Sequence, residues 1–324
     1  MWRPDCIAAA IVAIAARFGA RPADLEITLE ANPTDCTPAN LDAWRAGGIT
    51  RLSLGVQSLA PAELVVLGRD HRFGDGPAAI ARAVAHGGFA VSADFILGTP
   101  IGLPGSLARA DGSAAPAWIA EVVATGVTHL SVYELTIEDR TAFGKRARAG
   151  TLVPLDEDAL AGLYTTTHDA LAAAGFAHYE ISSYARPGAR AVHNSLYWQG
   201  APFLGLGVGA ASLWIDPATQ AGERATNPRR ASAYLAAPGT PAELVTIPAS
   251  EMAADRAWLA MRTLDGVAEA DLAGAPGVAD ELVADGLATR RDGRICPTLR
   301  GFLFGDRIAA RIVQSWRDDP GPAS

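Results

Sequence analysis

The sequence predicts an α/β protein in which helices flank a parallel sheet, joined to a smaller C-terminal domain of helices and a two-stranded wing. Three observations carry this. Apolar strand-like runs alternate with helix start and stop signals, and right-handed crossovers turn such a β-α series into a parallel sheet. Polar residues fall at or near the ends of four consecutive apolar runs, Glu30, Gln57, Asp94 and Thr136. Parallel sheets gather their chemistry at that end. From residue 241 onward the alternation gives way to helix, helix, hairpin, helix, so the expected domains are 1–240 and 241–324.

The elements follow in order. "MWRPDCIAAAIVAIAARFG" superficially matches a secretory signal, but the run is mostly alanine, Asp5 directly precedes it and Gly19 stops it. A buried amphipathic helix is expected there, too short to span a bilayer. "LEITLEANP" (25–33) is a strand. Thr37-Pro38 then forms an N-cap with proline at N1, and Gly47-Gly48 closes the helix. Residues 49–58 are the next strand, followed by a helix around "PAELVVLG" and another from Asp75 to Gly87. A strand at 89–98, a glycine- and proline-rich loop, and a helix near Trp118 come next. Strands at 128–136 and 177–185 bracket a helix over 156–174. In the last domain, helices at 252–264 and 278–286 precede a hairpin at 287–298 that turns at Asp292-Gly293, and "GFLFGDRIAARIV" closes the chain as a helix.

Bulk properties narrow the function. The chain has 324 residues, 49% hydrophobic, with net charge −8. An acidic chain is a poor general binder of nucleic acid or anionic membrane. Arg290, Arg291, Arg294 and Arg300 make the wing basic, but Asp280, Glu281 and Asp285 offset them. No nucleic-acid partner and no transmembrane segment are expected. The cysteines, Cys6, Cys36 and Cys296, are far apart, with no metal-ligand spacing and no disulfide framework, which fits a reducing cytoplasm.

A pocket holding Glu30, Gln57, Arg69 and Asp94 suits a ligand that is part nucleoside and part amino acid. Carboxylates accept from ribose hydroxyls or an ammonium, and a guanidinium forks onto a carboxylate. S-adenosylmethionine is such a ligand, although these residue types alone do not compel it.

The ordered motifs "EITLEANP", "RLSLGVQS", "LGRDH", "YELT", "YEISSYARPG", "HNSLYW" and "LGLGVGAAS" resemble the radical-SAM family of oxygen-independent coproporphyrinogen III oxidases. The HNxxYW pattern is nearest to its heme-chaperone (HemW-like) branch. The resemblance runs from about residue 3 to 312, including the C-terminal domain. It implies an open parallel (β/α) partial barrel, S-adenosylmethionine contacts at Glu30, Gln57, Arg69 and Asp94, and mostly backbone contacts at Thr136 and Ala211. It also implies heme as ligand and heme-acceptor proteins as partners.

The departures from the family matter as much. The CxxxCxxC motif that holds a [4Fe–4S] cluster is absent, as is the glycine-rich GGGTP turn. The barrel is therefore expected to be incomplete, its first strands missing, with the chain N-terminally truncated and not competent for radical chemistry as it stands. The strand at 25–32 is expected to have an open edge, an aggregation hazard. After Asp94 the chain offers two candidate turns, Gly98-Thr99-Pro100 and Gly102-Leu103-Pro104-Gly105, where the family has one.

Of six histidines, His71, His86, His129, His168 and His178 are expected to be surface or hydrogen-bonded core residues. His193 differs by its company, Asn194, Tyr197 and Trp198. An imidazole ligates heme iron and aromatic faces cover a macrocycle. Asn194 suits anchoring the loop or orienting the imidazole. On residues alone, packing at the barrel end with a turn capped by His193-Asn194 remains open. The resemblance favours a heme-binding chaperone. The alternatives are a radical-SAM coproporphyrinogen III dehydrogenase of porphyrin biosynthesis whose N-terminus is missing from this sequence, and a cluster-free binding protein.

Overall fold

A computed structural model describes residues 3–69, 74–99 and 118–318. The chain divides into two compact units, Met1–Arg190 and Ala191–Ser324. Residues 191–240, expected as an extension of the barrel, fall in the second unit by this division.

The first unit alternates as expected. Helix α1 (Pro4–Arg17) leads to β1 (Thr28–Ala31), α2 (Pro38–Ala46), β2 (Arg51–Gln57), α3 (Pro61–Val66), α4 (Asp75–His86) and β3 (Ala90–Leu97). Then come α5 (Trp118–Ala124), β4 (His129–Glu134), α6 (Ala142–Arg148), α7 (Glu157–Ala173), β5 (Ala177–Glu180) and β6 (Ser183–Ala185). The sheet order is β1-β2-β3-β4-β6-β5, with the first four strands parallel. Among the described residues β1 has no strand beyond it, so its outer edge is open as expected.

Strand alternation separates two faces. Leu52, Leu54, Val56, Val91, Ala93, Phe95, Leu130 and Val132 point to the core beneath the helices, where Phe95 stacks on Trp118 with ring centroids 4.1 Å apart. Full burial of such side chains contributes roughly 1.5–3 kcal/mol each. The alternate positions, Ser53, Gly55, Gln57, Ser92, Asp94, His129 and Ser131, occupy the opposite face, which is polar.

Two expectations need correction, and one element was not expected. The strand at 177–185 is a tight hairpin instead, and β6 runs antiparallel to β4. Its buried run Tyr179-Glu180 and Ser183-Tyr184-Ala185 is interrupted at Ile181-Ser182, where Val132 N donates to Ser182 O at 2.7 Å. Helix α1 forms but is buried along one stripe only: Ile7 and Ile11 pack on the core while Val12, Ile14 and Phe18 are exposed. An unexpected α6 is capped by Thr141, whose hydroxyl accepts from Gly144 N.

The expected cap of α2 is present: Thr37 accepts from Asn40 N, with Pro38 at the first helical position. Of the presumed structural histidines, His86 pairs with Asp42 at 3.2 Å and stacks on Phe89. His129 and His178 are buried, and His168 packs against His178 and Tyr184. His71 and most of the two-turn loop after Asp94 lie outside the described residues.

The second unit contains α8 (Val192–Trp198), β7 (Ala211–Ile215), β8 (Gly222–Thr226), α9 (Ala231–Ala236), β9 (Glu243–Ile247), α10 (Ala249–Ala260), β10 (Val267–Ala268) and α11 (Val278–Ala284). It ends with β11 (Ala288–Arg291), β12 (Arg294–Pro297), α12 (Leu299–Leu303) and α13 (Gly305–Asp318). The antiparallel sheet β7-β8-β9 was not anticipated; it packs Leu213 and Ile247 on Met252. The wing hairpin is β11–β12, with β10 added as a third strand. Asp292 and Gly293 both have positive φ, +51° and +71°, as the two central residues of a type I′ turn require. The wing arginines are engaged: Arg290 with Glu269 and Asp280, Arg291 with Leu264 O, Arg294 with Asp265 O and Gly266 O. Of these, Arg290 is the one paired with carboxylates, Glu269 and Asp280.

Candidate functional site

At the C-terminal ends of β1, β2 and β3 lies a cleft of about 450 Å³, lined by Glu30, Asn32, Asp35, Ser53, Gln57, Arg69 and Asp94 among polar residues. Its volume falls in the ordinary range for small-molecule sites. Parallel register explains the convergence. Glu30 is level with Ser53, and Gly55 is level with Asp94, so alternate residues on neighbouring strands share one face. Arg69 arrives from the turn after α3, its N–H bonded to Leu64 O at 2.9 Å.

Gln57 sits at an irregularity in the β2–β3 pairing with φ +69°, a left-handed conformation that a side chain rarely adopts. A Cβ at Gly55 would lie 2.8 Å from Gln57 Nε2. The glycine thus makes the space into which the Gln57 carboxamide folds over the strand end.

Asp94 is held by Ser53, whose Oγ lies 3.1 and 2.9 Å from the two carboxylate oxygens. Burial raises the Asp94 pKa, and nearby Glu30 adds to the rise, while hydrogen bonds from Ser53 and Ser131 and the charge of Arg51 oppose it. The cleft therefore offers three carboxyl groups, two carboxamides and a guanidinium. That donor set fits a ligand with vicinal hydroxyls, an amide-like ring edge and a carboxylate.

Four of the expected pocket residues, Glu30, Gln57, Arg69 and Asp94, are brought together. Thr136 is exposed two residues beyond β4 and is not among the lining residues. Ala211 opens β7 in the second unit. Ser53 was missed, although counting back in twos from Gln57 places it on the same face.

A [4Fe–4S] cluster does not fit the residues present. Cys6 is exposed on α1, Cys36 is buried with its thiol pushed up to about 11 by desolvation, and Cys296 is buried in the second unit. No group of three His, Cys, Asp or Glu side chains among the described residues is arranged to hold a metal.

In the second unit, His193, Asn194, Tyr197 and Trp198 lie on α8. His193 and Asn194 lie in the first turn of this helix, whose N-cap is Ala191. His193 and Tyr197 are one turn apart, their rings edge to face at 4.9 Å, and Tyr197 meets Phe203 at 4.8 Å. His193 is exposed, as are Val192, Leu196 and Tyr197, while Asn194 and Trp198 are half-buried. A solvent-facing imidazole beside apolar surface is suited in donor type to the axial position of a heme.

No family model matches the chain. Among characterised proteins, it is 34% identical over 297 residues to the heme chaperone HemW of Mycobacterium tuberculosis, covering 90% of this chain and 72% of that protein. It is 38% identical to Escherichia coli HemW over 189 residues, covering 58% and 47%. A mouse mitochondrial protein named radical S-adenosyl methionine domain-containing protein 1 is 37% identical over 219 residues, covering 67% and 47%. The fold matches E. coli coproporphyrinogen III oxidase HemN, described as a radical SAM enzyme, with TM-score 0.73 at 18% identity, covering 96% of this chain and 74% of that one.

Proposed function

Since the chain belongs to the HemW-like branch of the radical-SAM coproporphyrinogen III oxidase family, we propose that it is a heme-binding protein of the chaperone type that passes heme to acceptor proteins in the cytoplasm. The observation that carries this reading is the exposed face of α8. There the His193 imidazole stands one turn from Tyr197, with Val192 and Leu196 exposed beside them. His193 would ligate the iron, Tyr197 and Trp198 would supply flat apolar surface, and Asn194 would orient the imidazole. An exposed site suits a carrier, because the ligand has to leave as well as bind.

The cleft of the first unit is proposed as an S-adenosylmethionine site. Glu30 and Asp94 receive hydroxyl and ammonium donors, Gln57 meets the base or sugar, and Arg69 forks onto the carboxylate. Bound together with a [4Fe–4S] cluster, this cofactor supplies radical chemistry, but the cysteines of this chain do not fit the cluster. No radical step is assigned. No helix among the described residues is long and apolar enough to cross a membrane.

Titration with hemin, followed by the Soret band, tests the heme reading. The parent and His86→Ala should give the same saturable spectrum, and His193→Ala should lose the ligated form. Identical spectra for His193→Ala and the parent would remove His193 as ligand. No saturable binding by the parent would leave the cluster-free binding alternative.

A further inference from the structure

A second concave site lies wholly within the C-terminal unit. Asp285, Leu287, Arg300, Phe304 and Arg307 line a cavity of about 300 Å³. Asp285 follows α11, Arg300 lies on α12, Phe304 joins α12 to α13, and Arg307 is in the first turn of α13.

Charge is unbalanced there. Arg311, one turn beyond Arg307, donates to Asp285 Oδ2 at 2.7 Å. Its other terminal nitrogen, Nη1, is buried with no hydrogen-bond acceptor. Arg300 donates to the Asp285 carbonyl at 2.8 Å, and its guanidinium lies 5.7 Å from the centre of the Phe304 ring. The neighbouring Asp306 is bonded to Arg262 at 2.8 Å. Three guanidinium groups, Arg300, Arg307 and Arg311, thus surround the single carboxylate of Asp285. Arg307 stands in the first turn of α13 beside Asp306, whose carboxylate is engaged by Arg262 rather than by Arg307.

We infer that this cavity binds a small oxyanion-bearing molecule, a phosphate or a polycarboxylate, gripped by Arg300 and Arg307 with Phe304 as its apolar wall. Guanidinium forks match both oxyanions. The volume is at the lower end of small-molecule sites, enough for an anionic group with a short organic portion. This site is separate from both the α8 face and the strand-end cleft, and it owes nothing to heme or S-adenosylmethionine.

Isothermal titration of the full chain at about 20 mM ionic strength, where screening is weak, tests the inference with two probes, inorganic pyrophosphate and succinate. Saturable one-to-one binding of either probe is expected. Pyrophosphate alone identifies phosphate as the ligand group, succinate alone identifies carboxylate, and both together identify a general oxyanion site. Arg307→Ala should weaken binding about tenfold or more, about 1.4 kcal/mol. Arg17→Ala, on exposed α1, should bind as the parent does. Arg300→Gln provides a second variant should Arg307→Ala fold poorly. Absence of saturable heat in the parent, or equal affinity in the parent and both site variants, overturns the inference. So does a melting-temperature rise of the same size in every protein, which reports ion exclusion from the surface rather than binding.

Discussion

Acidification should unfold this protein through two buried histidines, and His129 gives the cleaner test. Its ring lies between Ser92 Oγ at 2.7 Å and the Tyr179 hydroxyl at 2.8 Å, with only 2% of the residue exposed. Burial, assisted by the positive charge of Arg51, pushes its pKa down to about 3. His178 is pushed down to about 4 by burial and then by His168. In the unfolded chain both titrate near 6.5, so stability is full above that value and is lost as pH falls below it, where only the unfolded state takes up the proton. At about pH 5 the gap from 6.5 is about 1.5 units, or roughly 2 kcal/mol for each ring at about 1.4 kcal/mol per unit. The pair together costs about 4 kcal/mol, a large fraction of ordinary domain stability.

His129→Gln removes one of the two titrations. Urea unfolding followed by circular dichroism at about pH 7.5 and about pH 5 should show the variant losing roughly 2 kcal/mol less on acidification than the parent. Its stability at the higher pH falls because the ring's hydrogen bonds are altered, so the difference between the two pH values is the quantity to compare. Asp94 contributes equally to both proteins and cancels. An unchanged acid loss in His129→Gln would refute the assignment of a neutral, acid-resistant His129.

Further outcomes follow from the cleft and core. Asp94→Asn should be more stable than the parent near pH 7.5. The raised Asp94 pKa means its stabilising protonated form is present in acid and lost as pH rises through that value; the advantage should shrink in acid, and parallel melting curves at both pH values check this. Gly55→Ala should weaken S-adenosylhomocysteine binding by about tenfold by calorimetry, because the added Cβ, 2.8 Å from Gln57 Nε2, displaces the Gln57 carboxamide from its place over the strand end. Leu54→Ala, at a fully buried core position, should cost about 2–5 kcal/mol by chemical denaturation.

Much of the first unit was legible because its elements announce their ends. Thr37-Pro38 and Gly87 mark helix boundaries, and the apolar runs of β2 and β3 carry polar residues at their exits. The β5–β6 hairpin was not legible, since the residues on either side of its turn, His178-Tyr179-Glu180 and Ser183-Tyr184-Ala185, are buried without alternation. The β7–β9 sheet mixes Arg224, Glu223 and Thr246 with exposed Trp214 and Leu244, so its period is faint. In the cleft, strand ends disclosed Glu30, Gln57 and Asp94, but the Ser53 bond and the strained Gln57 backbone depend on register and a bulge. Likewise, a count of wing arginines says nothing of the carbonyls that Arg291 and Arg294 already occupy.

The central claim is heme ligation by the α8 imidazole. Resonance Raman spectra of the ferrous heme complex, made with parent protein carrying nitrogen-15 histidine, test it most directly. An iron–histidine stretch that shifts with the isotope in the parent, persists in His86→Ala and disappears in His193→Ala is the result expected. The same isotope-sensitive band in His193→Ala would contradict the account.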